Sequence, residues 1–285
     1  MVKRSKSMRW FLLLLSASAV WVTAGVNERT LTRDQVQLRG NFTPGGLILG
    51  KSLPSVSVDL NGKPIKVSPQ GDFVFGFGRD AHGEHRLGVA LNAERLTIQI
   101  QLMPREYNIQ RIDGVPQRTV DPPKPDVLAR IRKETSLVRT ARARFEPELH
   151  FLNEFVWPIK GVITGVYGSQ RVYNGEPRRP HYGVDLAAAE GTPVRAPNHG
   201  VVTLTHDDMF FSGGTLIIDH GYGVSSTFLH LKEILVQPGD QVKQGDQIAL
   251  VGSTGRSTGA HLDWRINWFK VRIDPAQIVS VSALE

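Results

Sequence analysis

Between residue 30 and about residue 118, apolar and polar positions alternate in short runs. Val56, Val58 and Leu60 lead into Asn61-Gly62, a tight-turn pair, after which Ile65 and Val67 repeat the pattern. Phe73, Phe75 and Phe77 form a further run, as do Leu87, Val89 and Leu91, and then Leu96, Ile98, Ile100 and Leu102. A period of two puts these side chains on one face of a strand. Divided by Gly, Pro and Asn, the runs predict a small β-sandwich over residues 25–120. The period changes after Asp121-Pro122-Pro123-Lys124-Pro125, a stiff linker. Val127, Ile131, Val138, Ala141 and Phe145 fall on one helical stripe, predicting a helix over 126–145 with Asp126 as its cap. Linker and helix together occupy 121–150. Strand-like runs return over 151–285, at Val201–Leu204, Thr215–Ile218 and Gln247–Val251, divided by turns rich in Gly, Pro and Asp. The expected fold class is mainly β: a sandwich, a linker helix and a second β-domain.

The first 24 residues stand apart. Lys3, Arg4, Lys6 and Arg9 precede an apolar run from Trp10 to Ala24 that closes on Val22-Thr23-Ala24. A charged start, a short apolar core and small residues at the exit form a signal-peptide pattern. At about 15 residues the run is short for a membrane span of roughly 20. An uncleaved anchor in the membrane is the alternative, and both readings export residues 25–285 to the periplasm or cell envelope.

Charge changes the picture by its location. The formal net charge of the 285 residues is +7, of which residues 1–24 carry +4 and residues 124–145 carry +5, while 151–285 carry −2. A phosphate-backbone groove would want the positive charge on the functional domain, so no nucleic acid is expected as a partner. The helix residues Arg130, Arg132, Lys133, Arg139, Arg142 and Arg144 read as a solvated basic face, or else as a contact for an anionic polymer or membrane surface. The chain has no cysteine, which excludes thiolate metal sites and a Cys nucleophile.

Six of the nine histidines lie beyond residue 150. In His181-Tyr182-Gly183-Val184-Asp185, an extended backbone would turn an imidazole and a carboxylate to one face, and both suit zinc. Thr227-Phe228-Leu229-His230-Leu231 supplies another histidine. In Gly259-Ala260-His261-Leu262-Asp263-Trp264, His261 and Asp263 again share a strand face. Singly, each fragment is weak. In this order, with Gly191-Thr192-Pro193-Val194-Arg195-Ala196-Pro197, Asp219-His220-Gly221-Tyr222-Gly223, Val236 through Asp246, and Gly252-Ser253-Thr254-Gly255, the chain from 157 to about 275 resembles the lysostaphin/LytM-type zinc metalloendopeptidases that cut peptidoglycan peptides.

The resemblance implies a LytM-like antiparallel β-domain, one zinc ion and a peptidoglycan peptide as substrate. It implies His181 and Asp185 as metal ligands, with His230 and His261 as catalytic residues managing protons and the oxyanion. At one place the chain departs from the family: the second position of the His-x-His pair is Asp263. Asp263 is expected to ligate the metal directly, since carboxylate oxygen bonds zinc. Its added negative charge would move the site toward a harder metal such as manganese. Two other readings stay open: a weak site in a non-catalytic peptidoglycan-binding or regulatory module, or completion of the site by another side chain.

The remaining motifs read as structural. His82-Gly83-Glu84-His85 lacks the helical spacing of a zinc motif and is expected in a solvated loop. His199 is expected to be exposed, His206 to lie in a solvated loop and His220 to hydrogen-bond within the fold. Tyr182 and Trp264 suit a groove rim or the core equally. Gly252 through Gly259 lacks the Lys of a phosphate loop. The hairpin around Lys243 lacks the flanking methionines of a biotinyl or lipoyl carrier.

Overall fold

A computed structural model describes residues 29–33, 36–113 and 125–279. The leader and most of the Pro-rich linker lie outside the described residues. Among the described residues no helix is long and apolar enough to cross a membrane.

Two four-stranded antiparallel sheets form the N-terminal half. One runs β1 (Arg29–Arg33), β2 (Val36–Gly40), β3 (Leu47–Ser52), β6 (Asp72–Gly76). The other runs β5 (Lys63–Ile65), β4 (Ser57–Leu60), β7 (Glu84–Leu91), β8 (Glu94–Gln101). The alternating residues Val58, Phe73, Phe75, Leu87, Val89, Ile98 and Ile100 meet in one apolar core between them. Asn61 and Gly62 take positive φ (53° and 77°), which is the turn their sequence specifies. Glu84 and His85 open β7 rather than lying in a loop, and His85 packs on Phe77 at 4.8 Å. His82 is exposed, as expected.

β6 is buried at all five positions. Its second face explains this, because Val74, with Leu47 of the adjoining β3, belongs to the core of the C-terminal half. That half is built on a ten-stranded sheet with the path β10 (Val162–Gly165), β13 (Val184–Ala187), β20 (His261–Trp268), β17 (Val224–Ile234), β16 (Gly213–Asp219), β15 (Gly200–Met209), β18 (Gln241–Val242). β14 (Pro193–Arg195) pairs β19 (Gln247–Val251), which pairs β17, and β21 (Val271–Ile273) pairs β20. β9 (Ile109–Ile112) leaves the sandwich and pairs in parallel with β11 (Gln170–Tyr173), which also carries β12 (Glu176–Pro177).

The two halves are locked by further contacts. Arg105 bonds Asp274 at 2.6 Å, Asn41 donates to the Gln277 carbonyl at 2.9 Å, and Arg79 Nε donates to the Gly168 carbonyl at 2.9 Å. Gly76 lies so close to Ile273 that a Cβ there would collide with its side chain. The helix α1 (Pro125–Ala143) lies on β15 and β16. Ala141 is buried, with Ile131 and Val138 half-buried, as the stripe predicts, whereas Phe145 is 41% exposed and rests on Tyr222. Glu134, a polar residue the stripe omits, is buried because it accepts hydrogen bonds from Arg130 and the Phe210 amide.

His199 is half-buried against His150, and His206 sits within β15, where its Nδ1 accepts from the Asp208 amide. His220 has the structural role expected: fully buried, it bonds the His199 carbonyl and the Ser226 hydroxyl, each at 2.7 Å. Burial lowers its imidazole to about 4, and burial raises the neighbouring Asp219 carboxyl to about 7. The two slopes oppose each other. Keeping His220 neutral costs stability as pH falls below 6.5, while ionising Asp219 costs stability as pH rises from about 4 toward 7. Asp219→Asn removes only the second. Relative to wild type, its unfolding free energy should therefore rise by about 3 kcal/mol between about pH 4.5 and about pH 7.5 in urea melts. Parallel pH profiles would show that Asp219 ionises normally in the fold.

Candidate metal centre

The central strand β20 reads His261-Leu262-Asp263-Trp264-Arg265-Ile266, and its alternation divides structure from chemistry. Leu262, Trp264 and Ile266 are fully buried in the core. Trp264 is thus a core residue, edge-on to Trp157, and does not line a groove. His261, Asp263 and Arg265 take the other face. In register with them, Asp185 of β13 stands opposite Asp263 and Ala187 opposite His261, while Leu229 and Thr227 of β17 stand opposite Asp263 and Arg265. This polar face floors a cleft of about 470 Å³. Ile131, Thr135, Val138 and Arg142 of α1 wall one side.

His181 precedes β13 in non-strand backbone, yet it meets Asp185 as the spacing suggests: Nε2 and Oδ1 are 3.2 Å apart. One donor atom each from His181, Asp185 and Asp263 falls within 4.8 Å of the others. Among the described residues His181 Nε2 and Asp185 Oδ1 are buried without a hydrogen-bond partner. Orphaned buried acceptors are costly unless something binds them, and these two beside the Asp263 carboxylate fit a divalent cation. Two glycines make the crowding possible. A Cβ on Gly183 would sit 2.5 Å from Asp263 Oδ1, and one on Gly165 would strike the Asp185 carboxylate.

The two remaining histidines flank this cluster. His261 Nε2 is 3.9 Å from Asp185 Oδ1, and its ring lies 4.8 Å from that of His230. Each has its Nδ1 on a backbone carbonyl: Thr254 for His230 at 2.8 Å, and Gly259 for His261 at 2.9 Å. A carbonyl only accepts, so Nδ1 carries the proton and a neutral ring keeps Nε2 as an acceptor. Burial lowers the His230 pKa, which favours that neutral ring. His230 also holds a left-handed φ of 63°, unusual for a residue with a side chain. Thr254 is itself fixed, with Oγ1 donating to the Leu231 carbonyl and accepting from the Gly214 amide.

All five candidate residues therefore meet in one place. Sequence reading overlooked Arg265, whose Nε donates to both oxygens of Asp263 at 2.9 and 3.1 Å while Nη2 donates to Oδ2. The signal was available, because position 265 alternates with 261 and 263. Asp263 is 2% exposed. Burial alone would raise its pKa, but the Arg265 guanidinium holds it below the usual carboxylate range. Arg142 was also misplaced: it is not part of a solvated face but reaches into the cleft and bonds Thr227 Oγ1 at 2.8 Å.

Residues 179–275 match Peptidase family M23. The chain is 39% identical over 102 residues to the peptidoglycan DD-endopeptidase ShyA of Vibrio cholerae, covering 33% of this chain and 24% of that protein. It is 39% identical over 104 residues to the DD-carboxypeptidase/endopeptidase Mpg of Neisseria meningitidis, covering 36% and 23%. The matched segment spans about a quarter of the length of these curated relatives. A crystal structure from Pseudomonas aeruginosa assigned to peptidase M23 is similar over 83% of this chain and 94% of that one, at 30% identity and a TM-score of 0.64. The chain belongs to peptidase family M23, a family of metallopeptidases.

The Asp263–Arg265 pair yields a prediction of its own. Arg265→Met leaves a buried carboxylate without its cation and should cost about 3–5 kcal/mol in chelator-treated protein. The Asp263→Met/Arg265→Met double variant should recover most of that loss. Urea denaturation of the three proteins measures both effects, and an Arg265→Met variant as stable as wild type would show the pair to be worth little.

Proposed function

We propose that this protein is an exported, zinc-dependent endopeptidase that hydrolyses peptide bonds in the cross-links or stems of peptidoglycan. The observation that carries the reading is the pair of orphaned acceptors, His181 Nε2 and Asp185 Oδ1, converging with Asp263 beside two histidines of defined tautomer. The peptidoglycan endopeptidases among the relatives support the substrate class. A site that acts on peptidoglycan lies outside the cytoplasm, in keeping with the leader pattern of residues 1–24.

In this reading His181, Asp185 and Asp263 hold the metal. Zinc bound there supplies a Lewis acid and makes water a better nucleophile near neutral pH. The protein's own groups do the rest. His230 and His261 present Nε2 as acceptors, so either can take the proton of the attacking water. The ring that has taken it becomes an N–H donor to the oxyanion forming on the peptide carbonyl. Their Nδ1 bonds to Thr254 and Gly259 keep the rings aimed throughout. Arg265 offsets the charge that Asp263 adds, so the cluster keeps the net charge of a site with one carboxylate. This favours zinc over manganese, which the sequence alone had left open.

The same ion pair favours a second reading. Arg265 competes with a metal for Asp263, and a cluster whose second carboxylate stays on the guanidinium would serve a peptidoglycan-binding or regulatory module that does not cut. Metal analysis of the purified protein, with digestion of cell-wall sacculi, separates the two. We expect about one zinc per chain and released muropeptides, with both lost in Asp263→Ala. His230→Ala should keep the metal and lose rate by roughly 100-fold or more, the scale of general acid–base catalysis. A protein that releases nothing with added zinc or manganese would sink the peptidase reading.

A further inference from the structure

The cleft holds more fixed positive charge than its carboxylates neutralise. Arg142, Arg171, Arg179, Arg256, Arg265 and Arg272 line it, against Glu134, Asp185 and Asp263. Two of those acids are engaged: Asp263 with Arg265, and Glu134 with Arg130 and the Phe210 amide. Among the described residues Arg142 bonds neutral Thr227 through Nη2, and its Nε is buried with no hydrogen-bond partner there. Burial, then the fields of Arg272, Arg265 and Arg179, hold its guanidinium well below the usual arginine range. Arg272 donates to the neutral amide of Asn267 at 3.1 Å. Burial, followed by the fields of Arg265 and Arg179, lowers it to about 10. Arg179 and Arg272 both stand over the ring of Tyr182, at 5.6 and 5.7 Å from its centroid.

Converging cations repel one another, and a buried N–H with no acceptor is costly. A bound anion relieves both at once. The planar guanidinium fork matches a carboxylate in particular, through paired charge-assisted hydrogen bonds.

We propose that Arg142, Arg179 and Arg272 form a carboxylate-binding subsite in the cleft beside His181 and Asp263, and that it holds a free carboxylate of the peptide substrate. The choice of a peptide as the carrier of that carboxylate rests on the peptidase reading; the anion chemistry does not. The subsite gives α1 a role in recognition, because Arg142 comes from the helix and Arg179 and Arg272 from the sheet side. A peptide can bring the carboxylate as its C-terminus or on an acidic side chain.

Calorimetric titration of the purified, zinc-supplemented chain with three probes tests the subsite: N-acetyl-D-alanyl-D-alanine, its C-terminal amide, and N-acetyl-D-glutamyl-D-alanine amide. At least one acid should bind about 10-fold or more tighter than the neutral amide. The acid that does so identifies the source of the carboxylate. Arg142→Gln should abolish the preference and Arg142→Lys restore part of it, which assigns the effect to the arginine rather than to the metal. Arg179→Gln changes an exposed residue and should weaken the preference without threatening the fold. Acids that bind no tighter than the amide, or a preference that survives both glutamine variants, overturn the subsite. Sacculus digestion run in parallel keeps the two readings apart. Digestion without any acid preference refutes the subsite alone, and a preference without digestion refutes the peptidase reading alone.

Discussion

The antiparallel register of β13 on β20 places two carboxylates, Asp185 and Asp263, directly opposite each other on one sheet face. Like charges at opposed positions repel, and these two are largely removed from solvent, where repulsion is strongest. Something cationic has to stand between or beside them. Arg265 answers for Asp263 from its own strand, two residues on. Asp185 Oδ1 is left facing His181 and His261, without a hydrogen-bond partner among the described residues. The unsatisfied half of that arrangement is what a divalent cation fits, so one pairing register accounts for both the ion pair and the candidate metal centre.

The division of labour along β20 also shows why such a site can sit at the centre of a large sheet. Leu262, Trp264 and Ile266 anchor the strand in the core, while the residues between them face the candidate metal centre. Burying the apolar face offsets the cost of gathering charge on the other. Glycines at 165 and 183 open the space that two carboxylates and a guanidinium need, and a side chain at either would displace them.

Much of this was legible in the sequence, for reasons that differ by level. The strands of the sandwich followed from a strict two-residue period at Phe73, Phe75, Leu87, Val89, Ile98 and Ile100, because one buried face writes itself into the chain. The five candidate residues came from short segments whose order and flanks resemble a known family, and the fold brings them together. What escaped were pairings between distant segments. The second buried face of β6, the burial of Glu134 by Phe210 and the entry of Arg142 into the cleft each depend on a partner far away in sequence. A run of arginines on a helix reads as solvated until the surface beneath it is known.

The short strand β21 links these levels. Arg272 projects into the cleft, and the next two residues are gripped by the other half of the molecule, Ile273 against Gly76 and Asp274 by Arg105. The sandwich thus works as a jig for one wall of the cleft. A bulkier residue at position 76, or a shorter one at 105, touches nothing in the cleft itself, yet it shifts the backbone that aims a cleft guanidinium. Tolerance to change in the N-terminal half is limited by how accurately that one wall must stand.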